Sequence, residues 1–129
     1  MSNRAMTERV LWYIETNLDK DFGLDQIAKE LNYSKFYMIR TFKEEIGVTL
    51  YQYIRNRRLR EAARKLIETK QPIVEIAFEA GYGSQQAFTQ AFRRTFQCTP
   101  QECRKAGVIL SKQEKLLNFF GGSEGRLIA

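Results

Sequence analysis

The chain repeats itself. Ser34, Phe42 and Thr49 recur fifty residues later as Ser84, Phe92 and Thr99, and just upstream Ile27-Ala28 and Tyr33 recur forty-nine residues later as Ile76-Ala77 and Tyr82. The one-residue slip is the additional Gly83. Each copy reads as a short helix, a tight turn and a longer helix opened by a serine, which is the helix-turn-helix pattern whose second helix enters the DNA major groove. Two copies are too few for a solenoid, whose stacked repeats need at least three members to bury a continuous core. A tandem pair of readers is the architecture that the repeat leaves open.

The second long helix carries the clearest division of labour. Read over 84–96, it sets Phe88, Phe92 and Phe96 four residues apart in one row. Gln86, Thr89, Gln90 and Arg93 fall at i, i+3, i+4 and i+7 on another side, with Gln85 beside the first. Ser84 can accept a hydrogen bond from an unpaired amide of the first turn. Amides pair with adenine and guanidinium with guanine along the base edges, so this face suits base reading. The equivalent face of the first copy, on the helix 34–46, is Phe36, Ile39, Arg40 and Lys43. Apolar side chains there can meet thymine methyl groups, and Arg40 a guanine or a phosphate. Packing against a neighbouring helix is the competing role for Ile39 and, less so, for Phe36.

Between the copies, Leu50 to about Thr69 has the longest helical pattern, with Thr49 as its cap. Leu50, Tyr53, Ile54, Leu59, Ala62, Ala63, Leu66 and Ile67 form its apolar side. Arg55, Arg57, Arg58, Arg60, Arg64 and Lys65 crowd the remainder and read as phosphate clamps, with Arg55 and Arg57 the leading candidates. About twenty helical residues span ~30 Å, against ~34 Å between successive major-groove faces. Such a connector would let both readers engage one side of a duplex.

Charge agrees with this partner. The 129 residues carry a formal net charge of +6, a balance suited to an acidic polymer. The first 47 residues hold seven basic and eight acidic side chains, whereas 48–106 hold eleven basic and five acidic. The attraction to phosphate therefore lies in the central helix and the second reader. No histidine is present, which removes the usual zinc sites and histidine general bases. No glycine-rich phosphate loop appears either. An enzyme is not expected, nor any cofactor or metal. Two cysteines, Cys98 and Cys103, read as small buried thiols in a reducing compartment. No apolar run reaches membrane-spanning length and no signal peptide is visible, so a cytoplasmic, nucleoid-associated location is expected.

Along the chain, residues 1–6 read as a loose start and a first helix as beginning at Thr7, through Val10, Leu11, Ile14 and Leu18, with Trp12 at the core or its rim. Leu24–Leu31 and the stretch from Ile73 to about Ala80 read as the positioning helices, the second entered by Pro72 as its first helical residue. Gly47 is placed to stop the first recognition helix. Thr99-Pro100 opens a short helix ending near Gly107. The fold class expected is all-α: about seven helices in a homeodomain-like tandem. The expected division is a helix-turn-helix subdomain at 1–48, a linking helix at 49–69, a second subdomain at 70–107, and a tail or linker stub at 108–129. Within that tail, Ser111 to Phe120 is a possible helix.

Residues from about 7 to 106 resemble the DNA-binding domain of AraC/XylS-type bacterial transcription regulators. The resemblance is carried by Ile27-Ala28, Tyr33-Ser34-Lys35, Phe42-Lys43, Gly47, Tyr53-Ile54-Arg55, Arg58-Leu59, Ile76-Ala77, and the run Gly81 to Pro100 with Ser84-Gln85-Gln86. It is greatest for the short MarA/SoxS/Rob branch. The resemblance implies a monomer on double-stranded DNA that reads two successive major grooves, touches RNA polymerase and activates transcription. It implies base contacts from Phe36, Arg40, Gln85, Gln86 and Thr89, and a backbone contact from Arg55. Together with the face analysis, the base-reading set is Phe36, Ile39, Arg40, Gln85, Gln86, Thr89 and Gln90. The phosphate-contacting set is Ser34, Lys35, Lys43, Arg55, Arg57, Ser84 and Arg93. Three positions depart from the branch: Ile39 stands where an amide is usual, Gln90 where an arginine is usual, and Cys103 where an aromatic residue is usual. The change at 90 implies a different preferred sequence. Two alternatives accompany the reading: a nonspecific architectural DNA binder, and the N-terminal reader of a longer ligand-sensing regulator.

Overall fold

A computed structural model describes residues 4–107. Seven helices follow in order: α1 (Arg4–Thr16), α2 (Leu24–Leu31), α3 (Lys35–Ile46), α4 (Leu50–Glu68), α5 (Ile73–Glu79), α6 (Gln85–Phe96) and α7 (Pro100–Ala106), with no strand among the described residues. The helix considered for Ser111–Phe120 and residues 1–3 lie outside that range. Helix α1 begins at Arg4 rather than Thr7, because Met6 and Thr7 are both buried and extend its inner face by a turn. Trp12, expected at a core or its rim, is 65% exposed; Val10, Tyr13 and Ile14 supply the inward face instead.

The chain divides into two units between Arg55 and Asn56, inside α4. In the first unit, Val10 and Ile14 of α1, Ile27 of α2, Met38 and Phe42 of α3 and Leu50 and Tyr53 of α4 form one core. In the second, Leu59, Ala62, Ala63 and Leu66 of α4 pack with Ile76 and Ala77 of α5, Phe88, Phe92 and Phe96 of α6 and Cys103 of α7. The three phenylalanines are essentially fully buried, with Phe92 between its neighbours at ring separations of 5.6 and 4.7 Å. Burial of each contributes roughly 1.5–3 kcal/mol.

This partition lengthens the repeat. Carrying the offset of forty-nine back into α1 pairs Val10 with Leu59, both fully buried, and Thr7 with Asn56, both buried polar residues. Carrying the offset of fifty forward pairs Thr49 with Thr99. Each unit thus consists of an entry helix, a helix-turn-helix pair and a closing helix; α4 closes the first unit with Leu50 to Arg55 and opens the second with the rest.

The helix ends follow side-chain chemistry. Ser34 and Ser84 each accept from the amide three residues on, at 3.2 and 3.1 Å. Thr49 accepts from the Gln52 amide while the Gln52 side chain accepts from the Thr49 amide, and Thr99 with Glu102 repeats the arrangement. These reciprocal caps satisfy two orphan donors each. Pro72 is the N-cap of α5, one residue earlier than the first helical position expected for it. Arg104 of α7 donates from Nε and Nη2 to the carbonyls of Leu66 and Thr69 at 3.0 and 3.1 Å, tying the closing helix to the end of α4.

Candidate nucleic-acid interface

Helix α6 has the geometry of a reader. With its phenylalanine row turned inward, Gln86, Gln90 and Arg93 are exposed, and Gln85 and Thr89 are half-buried at the edge of the same face. None of these five side chains has a hydrogen bond or ion pair within the described residues, so their donors and acceptors are available to an outside partner. Ser84 is occupied as the cap and offers its exposed backbone end of the helix, where aligned amides favour an anion. Arg94 is exposed beside Gln90, at i+4, and was not among the expected contacts. Its spacing from Gln90 places it on the flank of the reading face. Arg93 and Arg94 give that side two positive charges.

Helix α3 presents a different surface. Phe36, 79% exposed, stands at its N-terminal end. Arg40 and Lys43 are exposed and carry no ion pair among the described residues, while Ser34 caps the helix. Lys35 is engaged: its Nζ lies 2.9 Å from a carboxylate oxygen of Asp25. A pair this exposed contributes about 0–1 kcal/mol, so it opposes transfer to a phosphate only weakly. Ile39 is half-buried against the first core. This is the packing role that competed with base contact for Ile39.

The arginines of α4 do not behave as one group. Arg55 is half-buried, and its Nε is buried with no partner among the described residues. Arg57, a leading phosphate candidate, is 7% exposed, so little of it faces solvent. Arg64 lies between Glu61 and Glu68, with contacts of 2.7 and 2.8 Å, and those two carboxylates hold its pKa above the ordinary guanidinium value. Its charge is neutralised locally. Lys65 is likewise paired with Glu79 at 2.6 Å. Partners set by the fold, which the crowding of basic residues does not reveal, thus separate the available cations from the spent ones.

Both thiols are free and buried. Burial raises the pKa of Cys98 and pushes Cys103 up to about 11, with the nearby Cys98 adding to the second shift. No cluster of three or more histidine, cysteine, aspartate or glutamate side chains gathers among the described residues. None of the described helices is long and apolar enough to cross a membrane.

Known proteins are similar to this chain in sequence and in fold. A family model described as a helix-turn-helix domain matches residues 27–106. The regulatory protein SoxS of Salmonella typhimurium is 40% identical over 104 residues, covering 81% of this chain and 97% of SoxS. A transcriptional regulator of Chromobacterium violaceum, described as containing an AraC-type DNA-binding domain, superposes with a TM-score of 0.74 at 26% identity, covering 82% of this chain and 96% of that one. The DNA-binding domain of the global transcriptional factor AdpA, solved in complex with a target DNA, superposes with a TM-score of 0.67 at 26% identity, covering 77% and 88% of the two chains.

Proposed function

This chain belongs to the AraC-type helix-turn-helix family, and from that premise we propose that it is a sequence-specific transcription regulator that binds double-stranded DNA through α3 and α6. The observation that carries the proposal is the outward face of α6. Gln86, Gln90 and Arg93 are held on a helix anchored by three buried phenylalanines, and nothing within the described residues consumes their hydrogen bonds. A glutamine amide can donate to N7 and accept from N6 of adenine in the paired geometry, and an arginine fork can donate to O6 and N7 of guanine. Because the anchoring row is already buried, the side-chain freedom lost on binding is that of the reading residues themselves.

On α3, Phe36 and Arg40 are the base-reading pair, with the Phe36 ring suited to a thymine methyl group. Lys43, Arg55 and Arg93 supply phosphate contacts, which set register and salt dependence. Ser34 and Ser84 contribute through the helix ends they cap. The regulator acts as a monomer on DNA in the cytoplasm, activates transcription and touches RNA polymerase. Support for these finer assignments comes from the family resemblance, and for the regulatory role also from relatives named as regulators. Binding, with no catalytic step, is the whole of the function.

The test is selection of bound fragments from the host genome at physiological salt, followed by footprinting of the best fragment. Two protected major-groove patches one turn apart, with one protein per site, are expected. Uniform protection without a shared motif would instead establish a nonspecific architectural binder.

A further inference from the structure

Two arginines with no place in the reading face occupy equivalent positions in the two units. In the first, Arg9 of α1 donates from Nη1 to the Tyr33 hydroxyl at 3.0 Å, and its guanidinium carbon lies 5.3 Å from the centre of the Tyr33 ring. Tyr33 lies between left-handed Asn32 and the cap Ser34, so it is the last turn residue before α3. Its amide donates to the Ala28 carbonyl at 2.9 Å, its ring packs on the first core, and that ring lies 6.3 Å from Tyr37 in the first turn of α3. Arg9 thus reaches from the entry helix to the point where the direction of α3 is set.

Forty-nine residues on, the same types recur as Arg58 and Tyr82. Tyr82 donates its amide to the Ala77 carbonyl at 3.1 Å, and its ring lies 5.7 Å from Phe88, the first buried phenylalanine of α6. Arg58, on the entry half of α4, has its Nε buried. Its Nη1 lies 3.3 Å from where a β-carbon on Gly81 would stand. Gly81 has φ of +95°, so glycine here provides both the left-handed turn and the room for the guanidinium. The first turn has Asn32 in this place at φ of 64°.

We propose that Arg9 and Arg58 are positioning residues for the two readers: each guanidinium reaches from its entry helix onto the tyrosine turn and fixes the angle at which the recognition helix leaves it. At Arg9 the device uses a planar fork that donates and stacks together, which lysine does not offer, and at Arg58 it uses the flat guanidinium lying against Gly81. A phosphate clamp needs only the charge, and lysine supplies that. The inference rests on α3 and α6 being the readers, but its structural half can be measured without DNA.

The experiment uses the full chain carrying Arg9→Lys, Arg58→Lys or Tyr33→Phe, with the genome-selected fragment and a random duplex as probes. Arg9→Lys and Tyr33→Phe should weaken binding to the selected fragment about tenfold, the scale of one charge-assisted hydrogen bond, and reduce protection only in the patch read by α3. Arg58→Lys should do the same for the patch read by α6. Affinity for random DNA and the salt slope should stay as in the unaltered chain. Amide exchange in the free protein should accelerate at Tyr37 for the first pair of variants and at Ala87 for Arg58→Lys, since those amides are bonded to the capping serines. Lysine variants that match the unaltered chain in footprint and exchange would overturn the proposal, as would equal weakening on both DNAs. If the unaltered chain shows no paired footprint, the DNA reading fails, and the exchange rates alone still decide whether the arginines hold the turns. Tyr33→Phe, which removes one oxygen atom, keeps the test decisive should Arg9→Lys unfold the first unit.

Discussion

Replacing Gln86 with alanine separates the reading function from the fold with the fewest side effects. Gln86 is the second residue of α6, exposed, and without a partner among the described residues. Its removal opens no cavity and orphans no buried group, so the unfolding free energy should change by no more than about 0.5 kcal/mol. If its amide makes a paired contact with a base, the loss on the preferred site should be ~1–3 kcal/mol, or about 5- to 150-fold in the dissociation constant. Competition binding against the selected fragment, with each base pair randomised in turn, provides the assay. One position should lose its preference while the others keep theirs, and affinity for random duplex should be unchanged. Equal weakening on selected and random DNA would refute the assignment, because it would mean that Gln86 serves the backbone. Unchanged affinity throughout would mean that the α6 face is turned elsewhere.

Arg93→Ala should weaken binding on every sequence and reduce the magnitude of the salt slope by about one unit; an unaltered slope in a titration from low to physiological salt would take Arg93 away from phosphate. Phe92→Ala should cost ~3–5 kcal/mol of stability, since Phe92 is fully buried between two aromatic neighbours, and a urea-melt loss below about 1 kcal/mol would contradict the packing described. Arg104→Ala removes two donors from the Leu66 and Thr69 carbonyls and should destabilise the second unit by about 1–3 kcal/mol, read by thermal unfolding. Cys103, raised from 9.0 to about 11 by burial, should resist alkylation at pH 8 in the native chain and react promptly in denaturant. Its raised value also means that the stability it contributes is present below pH 9 and is lost as pH rises through 11, because the unfolded thiol ionises first; a stability profile flat over that interval would show the thiol to be accessible.

The aromatic row of α6 and the serine and threonine caps were legible in the sequence because each depends on local spacing, and the repeat because residue identities recur at a nearly constant offset. Position-by-position availability was not. Lys35, Arg64 and Lys65 look equivalent to Lys43 and Arg93 in the chain, yet Asp25, Glu61, Glu68 and Glu79 engage the first three once the helices pack. Arg57 and Ile39 lie deeper than their spacing suggests for the same reason: periodicity indicates a face, and tertiary packing decides how deep its margins lie. The repeat also runs further than residue identity suggests. Tyr13 and Ile14 of α1 correspond to Ala62 and Ala63 of α4, so bulk changes while burial persists, and only the two cores reveal the correspondence. The positive φ of Gln97, where the first copy has Gly47, is similarly invisible to a search for glycine stops.

The shared helix α4 alters what counts as half of this protein. Leu50 and Tyr53 are walls of the first core, and Leu59 and Leu66 are walls of the second, yet both pairs belong to one uninterrupted helix. Cutting the polypeptide in the loop before α4 deprives the first half of its closing wall, and cutting in the loop after it deprives the second half of its entrance. A gene fragment encoding either reader by itself must therefore copy α4, so the two fragments together exceed the parent in length. The duplicated units overlap in the genetic text, and recombination that separates them cleanly at a loop leaves one of them unable to close.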